Sequence, residues 1–277
     1  MKKLFTKYKS YFFILLATVG FFVGCQNLFE TFGSPEGNEA KYPLFLLTIS
    51  LVTIYMLPML VFIRYLAKRY SISQSLINLS WLLGLTANFA FSEIGHEIVG
   101  YFWLHIIKAD EQFLNDWGAA VSAPFAEEIA KGIVVLLVLA ILSKWSLKNA
   151  LVSGMIVGLS FQVIEDCIYV FNDMFKQNVD GFVTILERIS QAGASHWTFT
   201  ALFGVGAATL FIKNSGLSKI RSFLFLFASI FLHFLYNSPF NVGSVTLALM
   251  VLNFTCFLIA FKSVDSLTLS KESNSLA

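Results

Sequence analysis

Charge is what this sequence has least of: 13% of its 277 residues are Asp, Glu, Lys or Arg, against about 25% in an ordinary soluble domain. With 57% hydrophobic residues beside that figure, the composition argues against a soluble globular protein. A formal net charge of +2 offers no electrostatic footprint for nucleic acid. Proline is equally sparse, five residues against 30 phenylalanines, which argues against a disordered or linker-rich chain. The three cysteines, Cys25, Cys167 and Cys256, are far apart in apolar stretches and form neither a disulfide framework nor a paired thiolate metal site. Phosphate-loop and dinucleotide fingerprints are absent. His96-Glu97-Ile98-Val99-Gly100 begins like the zinc-protease HExxH motif, but Gly100 stands where the second histidine is needed.

What is present is a series of uncharged runs long enough to cross a bilayer, which takes about 20 apolar residues. They are Ser10–Phe29, Tyr42–Ile63, Tyr70–Ser92, Ile189–Ile212 and the double-length Ser222–Phe261, which Asn237 to Gly243 divides as a polar turn. Two shorter runs, Gly132–Ser143 and Asn149–Ile164, reach spanning length only by taking charges with them. The first must extend back over Lys131, Glu128 and Glu127, the second forward over Glu165 and Asp166. The expectation is an all-α bundle of about eight spans over residues 1–261, with its catalytic core at 122–240 and a short cytoplasmic tail at 262–277 that looks disordered. Fourteen of the 19 basic residues then fall on one side, giving an N-in, C-in topology. Cys25 after Phe22-Val23-Gly24 also reads as a poor lipoprotein cleavage signal, so the first span is either retained or cut there.

That topology brings Glu127, Glu128, Glu165, His196 and His233 to one slab in the outer half of the membrane. Ionisable groups at such depth are costly and usually face the bundle interior. Glu127 and Lys131 are four residues apart and share a helix face, so the lysine can hold one glutamate charged while its neighbour keeps a proton. Pro124 fits the first turn of that helix. Gly154 and Gly158 form a small-xxx-small pattern, with Phe161 and Glu165 following on the face of Gly158. Asp166 has two readings, turned toward the outer interface or structural. His233 and Asn237, also four apart, form a donor pair suited to a developing oxyanion. Glutamates and histidines together are also a donor set that zinc accepts. Glu93, His96, Glu97 and Gly100 read as the polar side of an interfacial helix.

Four blocks, Glu127-Glu128-Ile129-Ala130-Lys131, Gly158 to Glu165, His196 with Gly204, and His233 to Asn237, resemble the PrsW family of intramembrane proteases, distant relatives of the CAAX-processing and bacteriocin-immunity membrane proteases. The CAAX branch has an arginine one residue beyond the position of Lys131, and a histidine in place of Glu165. The resemblance implies a peptidase of the bacterial cytoplasmic membrane that cuts membrane-associated proteins near the outer face, such as a single-span anti-sigma factor. It implies that Glu127 or Glu128 activates water, His196 positions it, and His233 and Asn237 stabilise the oxyanion. Lys131, Phe161 and Glu165 would support them. No cofactor is the expectation; with a metal, zinc, the candidate ligands are Glu127, Glu128, Glu165, His196 and His233. The alternatives are a proton- or cation-coupled transporter and a catalytically inactive relative that binds membrane proteins.

Overall fold

The computed structural model describes the backbone of residues 2–33 and 38–276, and side chains within 11–33 and 38–269. The side chains of Lys2, Lys3, Lys7, Lys9 and Lys271, counted above toward the topology, lie outside the described residues, as do those of the rest of the tail from 270 on. Among the described residues the fold is helical throughout, with no strand. Eleven α-helices follow one another: α1 Lys2–Phe32, α2 Tyr42–Ser50, α3 Thr53–Arg69, α4 Gln74–Leu85, α5 Ala87–Tyr101, α6 Glu111–Ile141, α7 Leu147–Phe171, α8 Gly181–Gln191, α9 His196–Ala208, α10 Lys219–Tyr236 and α11 Ser244–Leu276. Among the described residues four stretches are long and apolar enough to cross a membrane: Tyr11–Phe32, Leu147–Gln177, Lys219–Tyr236 and Ser244–Leu269. A fifth is added if Glu39–Ser50 and Thr53–Arg69, bent by 45° at their break, count as one.

Several uncharged runs are therefore not straight helices. The run Tyr70–Ser92 is broken at Thr86, whose backbone leaves the helical region at φ −129° and ψ −77°. The run Ile189–Ile212 holds the 13 residues of α9, about 20 Å of helix. Nearly all of α9 is buried, so it sits among other helices rather than facing lipid along its length. Helix α6 starts at Glu111, where Asp110 caps it by accepting from the Phe113 N–H at 2.7 Å. Pro124 consequently lies well inside that helix, not in its first turn, at the cost of the hydrogen bond to the Ala120 carbonyl. Past Phe261 the backbone of α11 stays helical to Leu276. Helix α1 runs unbroken through Cys25, and a Cβ on Gly24 would run into the Thr86 carbonyl, so α1 packs backbone to backbone at the α4–α5 break.

Glycines set the helix spacing that matters for the site. A Cβ on Gly154 would stand 2.7 Å from the Thr200 carbonyl oxygen, and one on Gly158 would stand 2.7 Å from the Trp197 Cα and run into the His196 carbonyl. The small-xxx-small face of α7 therefore lies directly on the α9 backbone. Gly95 does the same for α5, its Cβ position being 2.9 Å from the Ala126 Cα of α6. We predict that Gly158→Val, measured by thermal unfolding in detergent, destabilises the protein by about 1–3 kcal/mol or more, the range for overpacking a tight core. Wild-type stability in that variant would mean that α7 and α9 are free to part.

Candidate active site

Four helices deliver the central residues. From α6 come Glu127, Glu128 and Lys131, which are 5%, 0% and 0% exposed. The Lys131 ammonium donates to Glu128 Oε1 at 2.7 Å and to Glu127 Oε2 at 3.1 Å. It also lies 2.9 Å from His196 Nδ1 on α9 and 4.0 Å from the centre of the Phe161 ring on α7. An ammonium has only donors, so His196 Nδ1 must accept and its proton sits on Nε2. That Nε2–H then donates to Glu165 Oε2 at 3.0 Å. Both nitrogens of His196 are thus engaged by protein groups. The ring links Lys131 to Glu165 and in this arrangement has no nitrogen left to position water.

From α10, His233 stands with Nδ1 3.1 Å from Glu128 Oε1 and Nε2 3.9 Å from Glu127 Oε2. A carboxylate only accepts, so Nδ1 carries a proton and the neutral ring turns a lone pair, on Nε2, toward Glu127. His233 donates to an oxyanion only as the imidazolium. Phe199 stacks on this ring, centroids 5.0 Å apart and planes 5° from parallel, which fixes its tilt. Asn237, one turn further on, caps α10 and lines the cavity described below.

The two adjacent glutamates have different environments. Glu128 is enclosed: besides Lys131 and His233 it accepts from Thr200 at 3.2 Å, and the Ser229 hydroxyl, which donates to the Phe199 carbonyl at 2.8 Å, lies 3.5 Å away. Glu127 instead lines a cavity of about 590 Å³. Its Oε1 is 3.5 Å from Nε2 of His96, whose side chain is 41% exposed. His196, His233, Glu165 and Asn237 line the same cavity.

Sequence reasoning missed three participants. His96 is not merely on the polar side of an interfacial helix, because the Gly95–Ala126 approach carries it to Glu127. The visible signal was a histidine one residue after a glycine at the edge of an apolar run. Arg188, to which sequence reasoning assigned no role, reaches from the amphipathic helix α8 to pair with Glu165 and, at 2.5 Å, with Asp166. Asp166 is buried, not turned to the interface, and accepts from the Tyr55 hydroxyl of α3 at 2.7 Å. Nothing in the sequence pairs Tyr55 with a residue more than a hundred positions away.

One donor atom from each of Glu127, Glu128, His196 and His233 lies within 4.8 Å of the others. In number and kind these four fit a zinc-type ion. The site's four carboxylates, Glu127, Glu128, Glu165 and Asp166, also face only two full cations, Lys131 and Arg188, a deficit that a divalent ion would cancel. Lys131, however, already engages three of the same four donors.

The fold and this centre define an integral membrane protein with a cluster of carboxylates, histidines and a lysine buried inside its helix bundle. Among known families the chain matches the PrsW family intramembrane metalloproteases over residues 74–262, and it belongs to that family. The matched stretch runs from the start of α4 into α11 and takes in every residue of the centre except Tyr55. No curated protein and no solved structure matches the chain.

Proposed function

We propose that this protein is an intramembrane endopeptidase in which Glu127 activates the attacking water and Lys131 serves as the cation of the site. The observation that carries the reading is the carboxylate of Glu127, buried yet on the cavity wall, held by Lys131 on one oxygen and faced by His96 on the other. Glu127 takes a proton from water as the oxygen attacks the scissile carbonyl. The Asn237 amide, and His233 when it carries a second proton, donate to the oxyanion that forms. Collapse of the tetrahedral species breaks the C–N bond, and Glu127 returns its proton to the leaving amine. Glu128 orients Lys131 and His233 from behind.

The second reading has its own support in the four-donor set: Glu127, Glu128, His196 and His233 would hold a zinc ion, which would supply Lewis-acid polarisation of the substrate carbonyl. We favour the first because Lys131 engages those donors. The substrate proposed is a membrane-associated protein, such as a single-span anti-sigma factor, cut near the outer face of a bacterial cytoplasmic membrane. An N-in, C-in arrangement of about eight crossings, with the bent and charge-bearing helices counted, agrees with the basic residues on its inner side.

The test is cleavage of a single-span substrate by purified protein in detergent, with and without a strong chelator, and with metal content measured in parallel. Cleavage that survives the chelator is the expected result. Loss restored by zinc would favour the metal-dependent reading. An absence of cleavage together with ion flux in proteoliposomes would favour a transporter.

A further inference from the structure

The cavity extends well beyond the glutamates, and its outer part is built unlike its inner end. On α6, Gly118, Ala119 and Ser122 line it on the approach to Glu127. From Gly118 to Glu127 the helix rises about 14 Å, the length of about four residues of extended chain. A Cβ on Gly118 would meet nothing within 4 Å, so this wall is low and open. The same lining carries carboxamides: Asn172 just after α7, Gln191 at the end of α8 and Asn241 beyond α10. Gln191 accepts from the Tyr236 hydroxyl at 2.9 Å, and the Asn241 amide donates to the Tyr236 carbonyl at 2.6 Å. The carbonyl oxygens of Asn172 and Asn241 are buried without a hydrogen-bond partner among the described residues.

A carboxamide offers one acceptor and a donor group, the same complement as a peptide unit. A transmembrane helix satisfies its own backbone, and an unwound stretch of it at membrane depth must find every partner in the protein. We infer that this outer part of the cavity is a cleft for an extended polypeptide, with Gly118, Ala119 and Ser122 as its floor. Asn172, Gln191 and Asn241 bind the backbone that unwinding exposes. The inference rests on the peptidase reading and names the substrate form: a membrane-inserted segment with a stretch of weak helix, presented as a strand. Its specificity lies in the ease of unwinding rather than in side-chain pockets.

The experiment uses the full-length protein and a single-span peptide. Gly118→Leu places a side chain on the floor where the backbone leaves room for it, and Gly100→Leu, whose Cβ position is equally open but outside the cavity lining, is the control. Gly118→Leu is expected to raise KM about tenfold, with the loss falling on KM rather than kcat, while Gly100→Leu matches wild type. Asn172→Leu with Asn241→Leu is expected to raise KM about three- to tenfold, the effect of losing one or two hydrogen bonds, and the two Asp replacements, which keep the acceptors, recover it. Methylating the backbone nitrogens beside the cut is expected to weaken binding to wild type and to leave the double Leu variant indifferent. Wild-type KM in Gly118→Leu, or an equal methylation penalty in wild type and the double variant, overturns the cleft. If wild type cuts no peptide, fluorescence anisotropy of the same labelled peptide decides separately: binding lost in Gly118→Leu keeps the cleft while the peptidase reading falls, and binding unchanged removes both.

Discussion

A Glu127→Gln variant that folds and inserts normally is expected to cleave about 10³-fold more slowly than wild type, the middle of the range for a positioned general base. The loss should lie in kcat, because glutamine keeps the shape of the cavity wall and a polar partner for Lys131 and His96. Glu128→Gln should behave differently. That carboxylate is fully buried, receives the shorter of the two lysine contacts and also holds His233 and Thr200. Removing one partner of a buried ion pair costs about 3–5 kcal/mol, so a fall in thermal stability should accompany the loss of activity. Steady-state kinetics and unfolding in the same detergent separate the two. A stable, inactive Glu128→Gln beside an unstable, active Glu127→Gln would exchange the roles assigned to the pair.

Much of this centre was legible because charge is so scarce. Glu127, Glu128, Lys131, Glu165, His196 and His233 stood out as groups forced to membrane depth, and they do meet. The glycines of α7 pointed to a close helix contact, and Gly158 makes it, against His196 itself. What run lengths do not carry is helix continuity. An uncharged stretch has the same composition whether it is one straight span, a helix broken at Thr86, or a short buried helix such as α9. Burial among neighbouring helices, not lipid, lets such pieces keep an apolar sequence. The missed partners share another cause. His96, Arg188 and Tyr55 reach the site from segments whose own patterns are ordinary, and only the packing of α5, α8 and α3 on α6 and α7 makes them members of it. Sequence also left open which glutamate faces the substrate, since adjacent positions on a helix differ by about 100°; the answer depends on where the cavity lies.

Lys131→Met is the sharpest test of what holds the centre together, because it removes the ammonium while keeping most of the side chain's length and bulk. Glu127 and Glu128 would then be two buried carboxylates without their shared cation, and the pair would be disrupted by about 3–5 kcal/mol. If Lys131 is the resident cation, wild type should purify with far less than one metal ion per chain and melt at the same temperature with or without chelator. Lys131→Met should melt lower, and added zinc should restore part of the lost stability, because a ligand that binds the folded state alone raises its stability by mass action. The freed set of Glu127, Glu128, His196 and His233 supplies the ligands. Stoichiometric zinc retained by wild type, with a lower melting temperature after its removal, would give the opposite answer. Lys131 would then be a neighbour of a metal centre, and its contacts with Glu127, Glu128 and His196 would have to be exchanged for metal bonds before the site could act. The two outcomes differ in metal content and melting temperature, so they can be told apart before a substrate is known.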